Sequence, residues 1–320
     1  MLPRMLLLGF VAAIAVGGWI ATCVLWRYQD AMREIGLLAT RRFEAPTLIV
    51  LGSGGAYENP ARFGPALAVG VGEHVVLVDA GRGVAEGLRR ARIPVSQPGA
   101  VLLSSLLPEN AVGLDDLATA RFRDRRAKPL RVIGPPGTRA LVRALSEAHA
   151  GAIAVLAAEL GLPREGAAFE AEEIAEEWTG GAGDLVLRAA PLGGGPFPAL
   201  AWRLDAAERS VAVVSTAFAS ERTAALARGA KALVAGAVLS EAVSVALEAG
   251  VPDSARIERE AALLLSLDDA ARIAARAGVG RLVLVRLQPP PLFHFQFERA
   301  AAEGYAGEVV VAEDGDEIEL

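Results

Sequence analysis

This 320-residue chain has one cysteine and three histidines. With Cys23 alone, an intrachain disulfide and a cysteine-based zinc site are both excluded. The compartment is left open by that absence. His74, His149 and His294 are far apart in sequence, in a turn, a helical stretch and "PPLFHFQF". Zinc needs several histidines and carboxylates converging at bonding distance, whereas a lone histidine is commonly structural. Positive charge is not in surplus either: 32 Lys and Arg face 38 Asp and Glu, for a net charge of −6. A nucleic-acid partner therefore has no global electrostatic support and is not expected.

Apolar residues are abundant, at 53%. Part of that excess is N-terminal. Met5 to Trp26, "MLLLGFVAAIAVGGWIATCVLW", carries no charge. As a helix it extends about 33 Å, enough to cross a bilayer core. Trp26 and Tyr28 fall where an interfacial aromatic belt lies. Residues 1–28 are therefore expected to form an uncleaved transmembrane anchor. A cleaved signal peptide competes, but the apolar run is long for one and lacks a clean small-x-small site. Arg27, Arg33, Arg41 and Arg42 come after the span, and the positive-inside rule places the body in the cytoplasm. Short-tailed N-terminal anchors commonly export the domain behind them. Of the two sides, the exported (periplasmic) one is expected.

Residues 29–45 read as a juxtamembrane helix and linker. From 46 onward strands and helices alternate. "TLIVL" is a strand entering the glycine-rich turn "GSGGA", which lacks the Lys-Ser/Thr of a phosphate-binding P-loop. "ALAVGVGEHVVLVDAG" reads as a hairpin. "GAVLLSSLL" is a strand, followed by the helix "LDDLATARFRDRR". The stretch 141–177 is rich in Ala and Glu, with helical periodicity broken at "GLPREG", and predicts a helical arm. Beyond the break "TGGAG" come the strands "DLVLRAA", "ALAWRLD" and "SVAVVS". Helices then alternate with the strands "ALVAGAV" and "RLVLVRL". "GEVVVAEDGDEIEL" predicts a terminal hairpin around "EDGD". The pattern suggests an α/β fold, an αββα sandwich of two mixed β-sheets flanked by helices, over 46–320.

Several stretches in order carry a likeness. They are "LGSGGAYENPARFGPAL" (51–67), "VVLVDAGRG" (75–83), "RVIGPPGTRALV" (131–142), "PFPALAWRL" (196–204), "DDAARIAARAGVGRLVLVRLQPP" (268–290) and "GEVVVAEDGDEIEL" (307–320). Together they resemble the metallo-β-lactamase fold superfamily, in its ribonuclease Z and arylsulfatase-like branch. The resemblance implies a hydrolase with two metals, usually zinc, that lower the pKa of a bridging water. The family's ligands come from a T-H-x-H-x-D-H loop, a later His, an Asp after "SG" and a His near the C-terminus.

At those positions this chain differs throughout. "LSSLLPENAVGL" (103–114) puts Ser105 and Leu107 at the first two histidines, Glu109 at the aspartate and Asn110 at the third histidine. Gly194 of "GGGP" stands at the later histidine and Thr216 at the bridging aspartate. Leu264 of "LLLSLDDA" matches another common histidine, and Arg286 of "LVRLQPP" the final one. Of these replacements, only Glu109 has a side chain able to ligate a metal strongly. The surrounding frame is kept, including Asp79 of "VDAG". The expectation is a metal-less pseudoenzyme with no catalytic residues, acting by binding or scaffolding. The implied partners are a second copy or an active family member. Arg286 is expected to pair with Glu109 in the vacated site, with Ser105, Thr216 and Arg286 as an alternative anion pocket. The alternative function is a metallo-hydrolase of phosphodiesters or esters with an unorthodox site.

Overall fold

The computed structural model describes residues 14–29, 36–56, 61–215, 221–250, 252–290 and 293–320. The contacts divide the chain into two units, Met1–Leu38 and Ala39–Leu320. In the first unit, α1 (14–29) is helical and exposed throughout. Its 16 described residues fall short of the roughly 20 that span a bilayer. Residues 1–13 of the expected anchor, and 30–35 of the expected juxtamembrane helix, lie outside the described residues. By length and composition alone, the one described helix apolar enough to cross a membrane is Thr138–Leu160.

The second unit begins in chain order with β1 (Phe43–Gly52), β2 (Ala66–Gly72), β3 (His74–Val78), β4 (Pro98–Leu102), β5 (Leu130–Gly134) and β6 (Phe169–Glu173). It continues with β7 (Trp178–Ala182), β8 (Leu185–Leu192), β9 (Ala199–Ala206), β10 (Arg209–Val214), β11 (Ala232–Val238), β12 (Arg281–Gln288), β13 (Glu308–Val311) and β14 (Glu317–Glu319). The first sheet has the order β14-β1-β2-β3-β4-β5-β6 and the second β13-β12-β11-β10-β9-β8-β7. Helices cover the outer faces: α2 (Val84–Arg90), α3 (Pro108–Ala111), α4 (Gly113–Phe122) and α5 (Thr138–Leu160) come after strands of the first sheet. On the second lie α6 (Glu221–Ala227), α9 (Leu267–Ala277) and α10 (His294–Ala302), while α7 (Ser240–Glu248) and α8 (Ser254–Ala261) pack on each other.

Three apolar layers account for this arrangement. Leu48, Val69, Val76, Leu187, Trp202 and Val283 meet between the sheets. Ile49, Leu77, Leu88, Leu114 and Val132 back the first sheet against its helices. Leu233, Leu284, Ala270, Ala274 and Phe297 do the same for the second. β11, "ALVAGAV", is buried at every position, as expected of a parallel strand covered on both faces. Each large apolar side chain so buried contributes about 1.5–3 kcal/mol. The αββα sandwich read from the sequence is the observed fold.

Four local expectations are corrected. The terminal segment is not a hairpin: β13 pairs with β12 in the second sheet and β14 with β1 in the first. The "EDGD" turn bridges the sheets, and Asp314 accepts from Ser53 N at 2.7 Å and from Phe63 N at 2.5 Å. The helical arm ends at Leu160, and 169–173 is β6, paired parallel with β5. Alternation of Phe169 and Ala171 toward the core outweighs the helix propensity of its glutamates. "TGGAG" is not a break but part of β7, where the Trp178 ring lies over Gly180. The body also starts earlier than 46. β1 begins at Phe43, and Arg41 is fixed to Glu317 by paired hydrogen bonds of 2.8 and 2.6 Å.

Candidate functional site

Four strand ends from both sheets converge on one spot. β3 leads into Asp79, β4 into Leu103–Leu107 and β10 into Ser215, and β12 carries Arg286. The C-terminal ends of parallel strands are where such sheets place their ligands. Asp79 and Arg286 are both non-glycine residues in the left-handed region, at φ 61° and 54°. Such residues persist only where their surroundings over-determine them. Asp79 N donates to Leu102 O at 2.8 Å, and Arg286 N to Ser53 O at 2.7 Å. Gly113 N donates to Ala80 O at 2.7 Å, and a Cβ there would lie 2.1 Å from Gly81 O, so no larger residue fits.

A buried polar network fills the spot. Asp79 accepts from Ser104 N at 2.7 Å and from Ser104 Oγ at 2.9 and 2.7 Å. Ser104 Oγ accepts from Asn110 Nδ2 at 3.0 Å and from Ser215 Oγ at 2.8 Å. Asn110 Nδ2 also donates to Ser105 Oγ at 2.8 Å. Arg286 Nη1 donates to Asn110 Oδ1 at 2.9 Å, and Nη2 to Glu109 Oε1 at 3.2 Å. Ser104, Ser105 and Asn110 are fully buried, and Arg286 is 2% exposed. Arg286 Nε, also buried, has no hydrogen-bond partner among the described residues. Trp202 Nε1 donates to Leu103 O at 3.1 Å and ties the inter-sheet core to this loop.

Burial dominates the electrostatics. It pushes the Asp79 carboxyl up from 3.8 to about 6, with Arg286 and the Ser104 hydrogen bonds opposing. Burial also lowers the Arg286 pKa, and the charges of Asp79 and Glu109 act against that.

The structure thus brings together Ser105, Glu109, Asn110 and Arg286, and the pair expected between Arg286 and Glu109 is present. Leu107 lies half-buried at the start of α3. Gly194 is exposed in the β8–β9 connection, and Leu264 is half-buried in the turn after α8. Neither has a donor atom on its side chain. Thr216 lies outside the described residues. Ser215 is a partner that the sequence alone did not single out. Its signal was a serine closing the apolar run "SVAVV".

These residues do not fit a dinuclear zinc centre. Asp79 is committed to Ser104, Glu109 to a guanidinium, and no histidine takes part in the network. Among the described residues no group of three or more His, Cys, Asp and Glu converges. A serine nucleophile is not prepared either. Ser104 Oγ donates to a carboxylate, accepts two hydrogen bonds and has no exposed surface.

An αββα sandwich with a loop site at these strand ends defines the metallo-β-lactamase fold. Solved structures of that fold match closely in shape. The metallo-β-lactamase fold protein YhfI of Bacillus subtilis superposes at a TM-score of 0.66, with 18% identity, covering 87% of this chain and all of that one. Zn(2+)-bound PqqB of Methylobacterium extorquens superposes at 0.58, with 19% identity, covering 86% of this chain and all of that one. No protein-family model matches the chain. In sequence it is 31% identical over 281 residues to ribonuclease Z of Mycobacterium sp. (strain KMS), which spans 85% of this chain and 95% of the relative. The chain belongs to the ribonuclease Z family.

Proposed function

We propose that this protein uses the ribonuclease Z fold as a binding or scaffolding module and not as a metal-dependent hydrolase. The observation that carries this is the buried Arg286 guanidinium, held by Asn110 and Glu109 among the positions matched to the family's ligands. A fixed cation there repels a divalent one, and in a dry site that repulsion is strong. It also occupies the one carboxylate left in the loop. An active paralogue or a second copy of the chain is the partner such a module would take.

The hydrolase reading stands second. It is favoured by the names of the sequence relatives, ribonucleases Z at 31% identity and below. One assay separates the two: hydrolysis of an aryl phosphodiester and an aryl ester at rising zinc or manganese. Background rates at every metal concentration are expected. A saturable, metal-dependent turnover would move the hydrolase reading to first place.

Residues 1–28 serve this module as a membrane anchor, with the body on the exported side. The uncharged run from Met5 to Trp26 supports this. The full chain is then expected to stay with membranes through an alkaline wash, and release into the wash would remove the anchor.

A further inference from the structure

The outer face of the second sheet carries an anomaly unrelated to the former metal site. Arg188 on β8 and Arg203 on β9 are direct cross-strand partners. Like charges so placed are destabilising unless something compensates. Asp205 lies between them, 2.7 Å from Arg203 Nε and 3.5 Å from Arg188 Nε. The rest of the Arg203 guanidinium donates to Leu226 O at 2.9 Å, Arg228 O at 2.8 Å and Ser210 Oγ at 2.9 Å. It thereby braces the C-terminal end of α6 over the sheet.

That brace shapes a hollow of about 640 Å³ between α6 and strands β7 to β9. Among the described residues, Arg188, Arg203, Arg222 and Arg228 line it, together with the acidic Glu177. Arg188 is half-exposed, and Arg222 and Arg228 are exposed. With Asp205 counted beside Glu177, four guanidinium groups face two carboxylates there, although the chain as a whole carries −6. Ala190, Ala225 and Leu226 add an apolar wall. The volume lies within the usual range for small-ligand sites. Guanidinium groups bind phosphoryl oxygens through paired, directional donors, and several around one hollow favour a multiply charged anion over a single carboxylate.

We infer that this hollow binds a small molecule bearing a di- or triphosphate group. Free polyphosphate and a nucleotide tail share that chemistry. In a nucleotide, the nucleoside lies against Ala225 and Leu226.

Calorimetric titration of the full chain in mild detergent at low salt, with tripolyphosphate, ADP and sulfate, tests this. Tripolyphosphate and ADP are expected to bind and sulfate is not. Equal affinities identify free polyphosphate as the source, and tighter ADP binding identifies a nucleotide. Arg188→Gln and Arg228→Gln are each expected to weaken binding about fivefold. Glu177→Gln is expected to tighten it, because one like charge leaves the wall. That variant decides the matter if an arginine variant fails to fold. Binding of ADP but not tripolyphosphate, equal binding of sulfate, or affinities unmoved by all three substitutions would overturn the assignment.

Discussion

Arg286→Ala is expected to lower the melting temperature on the order of 10 °C. The guanidinium is 2% exposed and holds Asn110 Oδ1 and Glu109 Oε1. Removing it leaves a carboxylate and an amide oxygen partly buried without their donor. Breaking a buried pair from one side costs about 3–5 kcal/mol, and for a chain of this size each kcal/mol shifts the melting temperature by roughly 2–4 °C. Arg286→Lys keeps the charge but not the fork, so it restores less than half of the loss. Arg286→Gly separates backbone from side chain. At φ 54° glycine relieves about 1 kcal/mol of strain, so this variant melts above the alanine one. Calorimetry in the absence of ligands measures all three. An alanine variant that melts with wild type would remove Arg286 as the structural replacement for the metals.

Asp79→Asn is expected to flatten the pH dependence of stability. The folded carboxyl is pushed up to about 6 from 3.8, chiefly by burial. The folded protein therefore holds this proton more tightly than the unfolded chain does. The resulting stabilisation is complete below the unfolded value and is lost as pH rises through the folded one. A tenfold difference in proton affinity is worth about 1.36 kcal/mol, so the loss between about pH 4 and pH 6 is roughly 3 kcal/mol. Asparagine does not ionise and escapes it. Relative to wild type, the variant gains about that much on going from pH 4 to pH 7.5. Urea titrations at the two pH values give the difference directly. Parallel curves for the two proteins would mean that Asp79 ionises as an ordinary exposed carboxyl.

The parts of the fold legible in the sequence are those set by local pattern. The β2–β3 hairpin followed from two β-rich runs around "GEH", and β11 and β12 from unbroken apolar runs. The αββα order followed from the spacing of such runs. The destination of the last two strands was not legible, because "EVVV" and "EIE" around "EDGD" satisfy a hairpin as well as a crossover. Pairing of each with a distant edge strand decided it. β6 was hidden by "FEAEE", whose glutamates favour helix in isolation. At the site, the Arg286–Glu109 pair was readable because both replace matched ligand positions. The role of Ser215 and the left-handed backbone at Asp79 and Arg286 were not. Both arise from contacts between chain segments far apart in sequence.

In the function proposed above, the buried Arg286 guanidinium stands where the family's active members hold metal. Metal content of the full-length protein, purified with zinc in the medium and dialysed, tests it most directly by mass spectrometry. Far less than one zinc per folded chain is predicted. One or two tightly held metals per chain would contradict the claim and return the protein to the metallo-hydrolases.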